Sequence, residues 1–208
     1  AEYPHPDASD VTLRLAAGAP KQGRLQRVVA GSQGKESLVD NYSFTGESLA
    51  RAEWTEHRLI YVSEELQKPL HLSGTPRISV RLACDREAAN LSVWLVSLPW
   101  QTGKNSKITD NIITRGWADP QNHKSMTESE PLTPGKFYQV EFPLQPDDQI
   151  IPKGQKIALM IFSSDQEFTL WPEPGTKLTV DLDETVLTLP VVGGETEWDT
   201  AAPMATAD

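Results

Sequence analysis

The sequence predicts an all-β fold, and more specifically a β-sandwich. Apolar and polar residues alternate with a period of two over most of the chain, which is the pattern of strands that bury one face. Sixteen prolines and thirteen glycines interrupt the 208 residues too often for long helices. The segments between these breaks are short and numerous, as is typical of a sandwich or a barrel.

Individual strands follow from this alternation. In Arg77–Leu82 the apolar side chains of Ile78, Val80 and Leu82 alternate with polar ones, which predicts a strand with one buried face. The same pattern recurs, in chain order, at Val11–Leu15, Tyr138–Leu144 and Leu178–Leu182. Further strands are predicted at Leu25–Ala30, Arg58–Ser63, Leu70–Leu72, Lys107–Arg115, Phe168–Trp171 and Thr185–Leu189.

Two runs are apolar on both faces. These runs, Leu91–Leu98 and Ile157–Phe162, contain no alternation. Such segments suit central strands that are covered on both sides.

Helical signal is confined to one short segment, Glu47–Glu56, where Leu49 and Ala52 can face inward. The C-terminal residues Glu195–Asp208 carry four acids and no base, and they follow a Gly-Gly pair. We therefore predict one β-sandwich domain over residues 1–194 and a flexible acidic tail over residues 195–208.

Charge and hydropathy limit the functional classes. Nineteen basic against 29 acidic residues give a net charge of −10, which argues against nucleic-acid binding because that function needs a basic face. No run approaches the ~18 apolar residues of a membrane span. The sequence therefore predicts neither nucleic acid nor membrane as a partner.

The single cysteine, Cys84, follows the apolar stretch of a predicted strand, which favours a buried structural thiol. One cysteine suits a reducing compartment, but exported proteins also lack disulfides. No signal peptide opens the chain, and the localisation stays open.

Catalytic motifs are incomplete. Ser32 lies in Gly31-Ser32-Gln33-Gly34, one residue short of a nucleophile elbow, and neither a helix nor a parallel sheet is predicted around it. This composition favours a hairpin turn. We predict no catalytic residue.

Metal ligation is not indicated either. The four histidines are far apart, without the spacing of a metal pair. The acid groups Asp147-Asp148 and Asp181–Glu184 could hold Ca²⁺, but their composition favours turns. We predict no metal and no cofactor.

Six tryptophans are many for this length. Trp94 lies in a doubly apolar run and is predicted in the core. Trp100, Trp117 and Trp171 lie beside Pro or Gly in predicted loops, where they could contact a ligand or a protein partner. They could equally cap the open ends of the sandwich. Both interpretations stay open.

The stretch from Gly116 to Phe137 has no clear pattern, and loops of this length are often functional.

Several stretches resemble a known family. These are Arg58–Leu66, Pro69–Pro76, Arg115–Asn122, Ile151–Ile157, Ser163–Asp165 and Pro174–Gly194. In this order they resemble the C-terminal β-sandwich of the Xaa-Pro dipeptidyl-peptidase and cocaine-esterase family of serine hydrolases, and the last stretch is more similar to the dipeptidyl-peptidase branch. The resemblance covers about residues 10 to 194. Gln155 departs from the histidine that the family often carries there.

The resemblance implies a jelly-roll of the galactose-binding-like type, attached to an upstream α/β-hydrolase domain of the same polypeptide. That domain carries the Ser-Asp-His triad, so Ser32 and His123 are not substitutes for it. The parent enzyme would release Xaa-Pro dipeptides from peptide N-termini. This domain would support the active site and contribute to contacts between domains or between subunits of a homo-oligomer.

Two functions therefore stay open, and a purely structural interaction domain with no relation to peptidases is a third possibility. One is a non-catalytic accessory domain of a serine dipeptidyl-peptidase. The alternative is a stand-alone carbohydrate-binding module that uses the loop tryptophans Trp100, Trp117 and Trp171.

Overall fold

The computed structural model describes residues 2–101 and 103–204, and within these ranges the chain forms twelve strands and two short α-helices. In chain order they are β1 (Ala8–Ala16), β2 (Gly23–Gln26), β3 (Lys35–Val39), α1 (Gly46–Arg51), β4 (Arg58–Val62), β5 (Leu70–Gly74), β6 (Arg77–Cys84), β7 (Leu91–Leu98), β8 (Ile112–Ala118), β9 (Phe137–Pro143), β10 (Asp147–Ile151), β11 (Lys156–Phe162), β12 (Lys177–Val192) and α2 (Gly194–Ala201). Short 3₁₀ turns occupy Ile108–Asp110 and Pro120–Asn122.

The strands form a β-sandwich, which confirms the predicted all-β class. The long strand β12 is central to one layer: β6 and then β5 pair along one edge, and β3 and then β1 along the other. β9 and β10 extend this layer. The other layer has the order β2-β4-β11-β7-β8. β2 pairs with both β1 and β4, so the hydrogen bonding continues from one layer to the other.

The main core lies between the layers. Inward side chains of β1, β6 and β12 meet those of β4, β7 and β11 in one continuous buried cluster. The strict alternation at Arg77–Leu82 is confirmed, because Ile78, Val80 and Leu82 are at most 2% exposed. Burial of these apolar faces is the main force that holds the two layers together.

A second apolar cluster covers the outer face of the β4-β11-β7 strands. Trp94, Val96, Met160 and Phe162 are buried there beneath α1. Gly46 lies directly on the ring of Trp94, since a Cβ atom at this position would come within 2.3 Å of the indole. The prediction that Leu91–Leu98 and Ile157–Phe162 are covered on both sides is therefore confirmed.

Other predicted elements differ at their ends. The helix predicted at Glu47–Glu56 is found at Gly46–Arg51, where the Thr45 side chain caps its N-terminus. The strand predicted at Lys107–Arg115 begins only at Ile112, after a 3₁₀ turn.

The prediction of a strand at Phe168–Trp171 is wrong. The backbone N–H groups of Phe168 and Thr169 both donate to the Asp165 carbonyl, at 2.8 and 2.9 Å, and this closes a turn.

Two observed strands, β3 and β10, were not predicted. Both are short, and β10 contains the acid pair Asp147-Asp148 that composition assigned to a turn. Asp181–Glu184 likewise lies within β12, at a register shift opposite β6. Composition favoured turns at these acids, but pairing with strands distant in the sequence determines their conformation.

The predicted flexible tail requires a correction. Residues 194–201 form α2, and Trp198 on this helix is 2% exposed. Arg27 forms ion pairs with both Glu195 and Asp199, and the Lys68 ammonium lies 2.8 Å from Glu197. Burial of Trp198 therefore docks the helix on the body of the domain, and the acids predicted to be solvated form ion pairs around it. The last part of the predicted tail, residues 205–208, lies outside the described residues.

Cys84 is buried as a free thiol, as predicted. No α-helix in the described ranges is long and apolar enough to cross a bilayer.

Candidate interaction surface

Two loops lie together at one end of the second layer. The first, residues 40–45, precedes α1, and the second, residues 163–176, joins β11 to β12. Buried Asp40 fixes the second loop by accepting hydrogen bonds from the backbone N–H and the hydroxyl of Ser164, at 2.8 and 3.0 Å. The Asp40 N–H donates in return to the Thr176 carbonyl at 2.8 Å. These bonds join the two loops into one rigid unit.

Asp165 connects this unit to the sheet. Its side chain is 1% exposed, and one carboxylate oxygen accepts the indole N–H of Trp94 at 2.9 Å and that of Trp117 at 3.0 Å. Trp94 lies on β7 and Trp117 on β8. A carboxylate that receives two N–H donors is well stabilised in the interior.

Aromatic rings extend outward from this support. Trp117 stacks on Phe168 with ring centroids 5.2 Å apart. Trp171 stacks almost parallel on Tyr42 at 4.8 Å. Phe44 stacks on His57, whose ring nitrogen contacts the Val39 carbonyl. Each ring is therefore held in place by a neighbour before any partner arrives.

Much of this apolar area faces water. The exposed fractions are 41% for Phe44, 49% for Phe168, 89% for Leu170 and 54% for Trp171. We define the aromatic surface as Tyr42, Phe44, Trp117, Phe168, Leu170 and Trp171. Exposed aromatic side chains held on two joined loops are typical of a protein interaction site.

A cation lies within this group. The guanidinium carbon of Arg115 lies 4.5 Å from the ring centroid of Phe168, 5.6 Å from Trp94 and 5.7 Å from Trp117. Cation–π contacts at such distances hold the side chain in place.

The structure separates the three tryptophans that the sequence grouped. Trp117 lies on strand β8 rather than in a loop, and Trp171 lies in the 163–176 loop. Trp100 packs at the edge of the second apolar cluster, with the Arg51 guanidinium 5.2 Å from its ring centroid. Trp117 and Trp171 thus belong to the aromatic surface, and Trp100 belongs to a different part of the same face.

The residues that resembled a catalytic motif have other partners. The Ser32 hydroxyl donates to Asp183 at 2.5 Å, and the N–H of Gln33 donates to the same carboxylate at 2.7 Å. These bonds lower the pKa of Asp183, with the Gln33 bond as the largest cause. His123 contacts the Pro120 carbonyl and lies 3.3 Å from Glu130. Ser32 and Asp183 therefore close a loop between β2 and β3.

The acids considered for Ca²⁺ are also engaged. Asp148 contacts the ring of His71 at 2.7 Å, and this bond is the main reason that the pKa of Asp148 is lowered. Across residues 2–101 and 103–204, no group of three His, Cys, Asp or Glu side chains is placed to hold a metal ion.

A cavity of about 300 Å³ lies beside the aromatic surface, under the 119–132 loop. Trp117, Asp119, Asn122 and Glu141 contribute to its lining. The Asn122 side-chain oxygen is buried and has no hydrogen-bond partner among the described residues.

Asp165 and Arg115, which organise this surface, enter the sequence analysis only within the stretches that resemble the family, and the sequence indicates no role for either. Asp165 ends the polar triplet that follows a fully buried strand, and Arg115 directly precedes the unpatterned 116–137 stretch. A buried acid after an apolar run is a usable signal, but the sequence does not indicate that two indoles are its partners.

Comparison with known proteins gives a family match over almost the whole chain. A family model described as the X-Pro dipeptidyl-peptidase C-terminal non-catalytic domain matches residues 1–203. The chain is 68% identical over 193 residues to a putative Xaa-Pro dipeptidyl-peptidase of Rhodopirellula baltica. This match covers 93% of the chain and 31% of the relative, so the chain spans about a third of that relative's length.

Solved structures share the fold at low identity. An aminopeptidase from a marine-sediment Thaumarchaeota archaeon matches with a TM-score of 0.72 and 14% identity, over 92% of this chain and 38% of that one. A CocE/NonD family hydrolase from Staphylococcus aureus matches with a TM-score of 0.64 and 13% identity, over the same shares of the two chains. These likenesses support the β-sandwich alone.

Proposed function

The chain belongs to the family of X-Pro dipeptidyl-peptidase C-terminal non-catalytic domains, and we propose that it is the accessory domain of a serine Xaa-Pro dipeptidyl-peptidase. In this proposal the aromatic surface docks on an α/β-hydrolase domain of the same polypeptide. Docking supports the active site of that domain and helps to cover it. The chain supplies contacts, and the hydrolase domain supplies the triad.

The observation that carries the proposal is the exposure of Phe168, Leu170 and Trp171 on a rigid support. Free loops can turn apolar side chains inward, but this loop is tied down by buried Asp40 and buried Asp165. The exposed rings therefore keep their position, and they lose contact with water only when a partner covers them. Burial stabilises such contacts by roughly 25 cal/mol per Å² of apolar area.

The length of a relative also supports docking on another domain of the same polypeptide. The Rhodopirellula baltica relative is about three times as long as the segment that matches this chain. The rest of such a polypeptide is the nearest available partner, because a tethered domain binds at high effective concentration. For the fold we propose the jelly-roll topology of the galactose-binding-like type within the observed sandwich.

Hydroxyl-radical footprinting tests the docking surface. We expect Phe168, Leu170 and Trp171 to be oxidised more slowly in the full-length polypeptide than in the 208-residue chain. Trp54 and Met204, exposed at 63% and 54% and outside the aromatic surface, are the matched controls and should not change. Equal oxidation of the surface in both proteins would refute docking here, and protection that depends on protein concentration would indicate contact between copies instead.

Activity measurements test the supporting role. Trp171→Asp in the full-length polypeptide should reduce hydrolysis of an Xaa-Pro chromogenic substrate, and Trp54→Asp should not. The 208-residue chain alone should cleave neither Xaa-Pro nor ester substrates. Turnover by the purified chain that a serine-directed inhibitor abolishes would contradict the non-catalytic assignment.

The second candidate, a carbohydrate-binding module, is favoured by one observation. The cavity beside Trp117 combines an aromatic edge with Asp119, Glu141 and the unpartnered oxygen of Asn122, and sugar hydroxyls could bond to these groups. Titration with a panel of glycans tests it. Binding that is lost in Trp117→Ala or Asn122→Ala would favour this function, and the same titrations with Trp100→Ala and Trp171→Ala would show whether the other tryptophans take part.

A further inference from the structure

Arg115 differs from the other arginines of the chain in its partners. Among the described residues, five arginines have a carboxylate within 4.0 Å, namely Arg27, Arg51, Arg77, Arg81 and Arg86. Arg58 is buried and donates to backbone carbonyls, including those of Ala19 and Ala52. Arg14 and Arg24 are exposed to water. Arg115 is half-buried, and its guanidinium donates to no group in the described chain.

Among the described residues, no carboxylate oxygen lies within 4.0 Å of the Arg115 guanidinium. Phe168, Trp94 and Trp117 supply ring faces around the guanidinium, and aromatic faces accept no strong hydrogen bond. Asp165 lies beside the same two tryptophans and accepts both indole N–H groups through Oδ2, but it forms no hydrogen bond or ion pair with Arg115. The stacked rings fix the orientation of the planar guanidinium but leave its N–H donors free to bond to another group.

Docking changes the environment of this cation. The inference rests on the proposed function, in which the hydrolase domain covers Phe168 and Trp171. A covered guanidinium without an anionic partner would oppose docking, because a buried charge is unfavourable unless it is paired. A carboxylate matches both the charge and the planar fork and can accept two parallel hydrogen bonds.

We propose that Arg115 is the charged anchor of the docking surface, and that it binds the carboxylate of an Asp or Glu side chain of the hydrolase domain. The aromatic rings contribute the apolar area of the interface. The ion pair fixes the orientation of the two domains, because bidentate pairing requires the carboxylate to lie in the plane of the guanidinium.

Zero-length carbodiimide cross-linking of the full-length polypeptide tests this pairing. In the Arg115→Lys variant, a carboxylate in contact with residue 115 becomes coupled to the new amine, and peptide mapping identifies it. We expect a cross-link from position 115 to an Asp or Glu outside the 208 residues. Arg14→Lys, at an exposed arginine, is the matched control and should give no such product.

Two ion pairs of the native chain serve as internal standards. The Lys68 and Lys124 ammonium groups lie 2.8 Å from Glu197 and 2.7 Å from Glu130, so both pairs should cross-link in the same sample. If they do while position 115 forms no cross-link, or forms one only within this domain, the ion-pair proposal is overturned.

A second variant gives an independent measurement. Arg115→Gln removes the charge and keeps a polar side chain. It should lower the unfolding temperature of this domain more in the full-length polypeptide than in the 208-residue chain, where Arg115 has no ionic partner. Equal shifts in the two proteins would overturn the proposal.

The two proposals fail separately. Footprint protection of Phe168 and Trp171 without a cross-link at position 115 would retain the docking surface and reject the Arg115 anchor. If neither the footprint protection nor the cross-link at position 115 is observed, the docking surface itself is rejected.

Discussion

Replacement of Asp165 by alanine should weaken the support of the aromatic surface. The carboxylate is 1% exposed and is the common acceptor for the indole N–H groups of Trp94 and Trp117. Alanine removes the acceptor and leaves both donors in place. The consequences for the two indoles differ, because they differ in access to water.

Trp94 is 3% exposed, so water cannot replace the lost acceptor, and an unsatisfied buried donor costs about 1–3 kcal/mol. Trp117 is half-buried and can bond to water instead, so the lost hydrogen bond lowers the free energy of unfolding by only about 0.5–1.5 kcal/mol. Removal of a buried charge offsets part of this sum, because the desolvation of that charge opposes folding. We expect the free energy of unfolding to fall by about 2–3 kcal/mol.

Urea denaturation of the 208-residue chain, followed by near-ultraviolet circular dichroism, measures this change. Asp165→Asn is the matched control because its amide oxygen can still accept the indole N–H groups. The free energy of unfolding should fall less than half as much in this variant as in Asp165→Ala. An Asp165→Ala variant as stable as the wild-type protein, with an unchanged tryptophan spectrum, would refute the assigned role of Asp165.

Three further outcomes follow from other sites. Burial raises the pKa of the Cys84 thiol, so a disulfide reagent should label it slowly in the native protein and rapidly in urea; fast native labelling would contradict this. The lowered pKa of Asp183 means that its carboxylate stabilises the fold at neutral pH and loses this effect as the pH falls below its ordinary value of 3.8. The melting-temperature difference between wild type and Asp183→Asn should therefore shrink in acid, and a constant difference would be inconsistent with this role. Trp198→Ala should lower the free energy of unfolding, measured by urea denaturation, by about 3–5 kcal/mol. If residues 195–204 were a flexible tail, this substitution would not change it.

The strand pattern could be predicted because it is local. Alternation in Arg77–Leu82 assigns three side chains to the core whatever layer lies opposite, since successive residues of a strand point to opposite faces. The two apolar runs, Leu91–Leu98 and Ile157–Phe162, likewise required cover on both sides. The sequence did not indicate that α1 covers the outer face, where Gly46 lies directly on the ring of Trp94.

Charged residues were harder to interpret. The sequence predicts that Glu195 and Asp199 lie in a solvated tail, because their neighbours in the sequence include no base. Their partner, Arg27, lies 168 residues away from Glu195 in the sequence. The sign of a charge is known from composition, but its partner is known only when the chain is folded.

The same distinction applies to the aromatic surface. The sequence determined that the protein is an all-β sandwich, that Trp94 and Cys84 are internal, and, through its resemblance, to which family it belongs. Only the tertiary structure decided that Trp117 and Trp171 share a surface while Trp100 lies apart, that Asp165 supports two indoles, and that Arg115 is left without an anion. Strand periodicity depends on neighbours along the chain, whereas these contacts join residues far apart in sequence, such as Trp94 and Asp165 at a separation of 71, which meet only when the layers close.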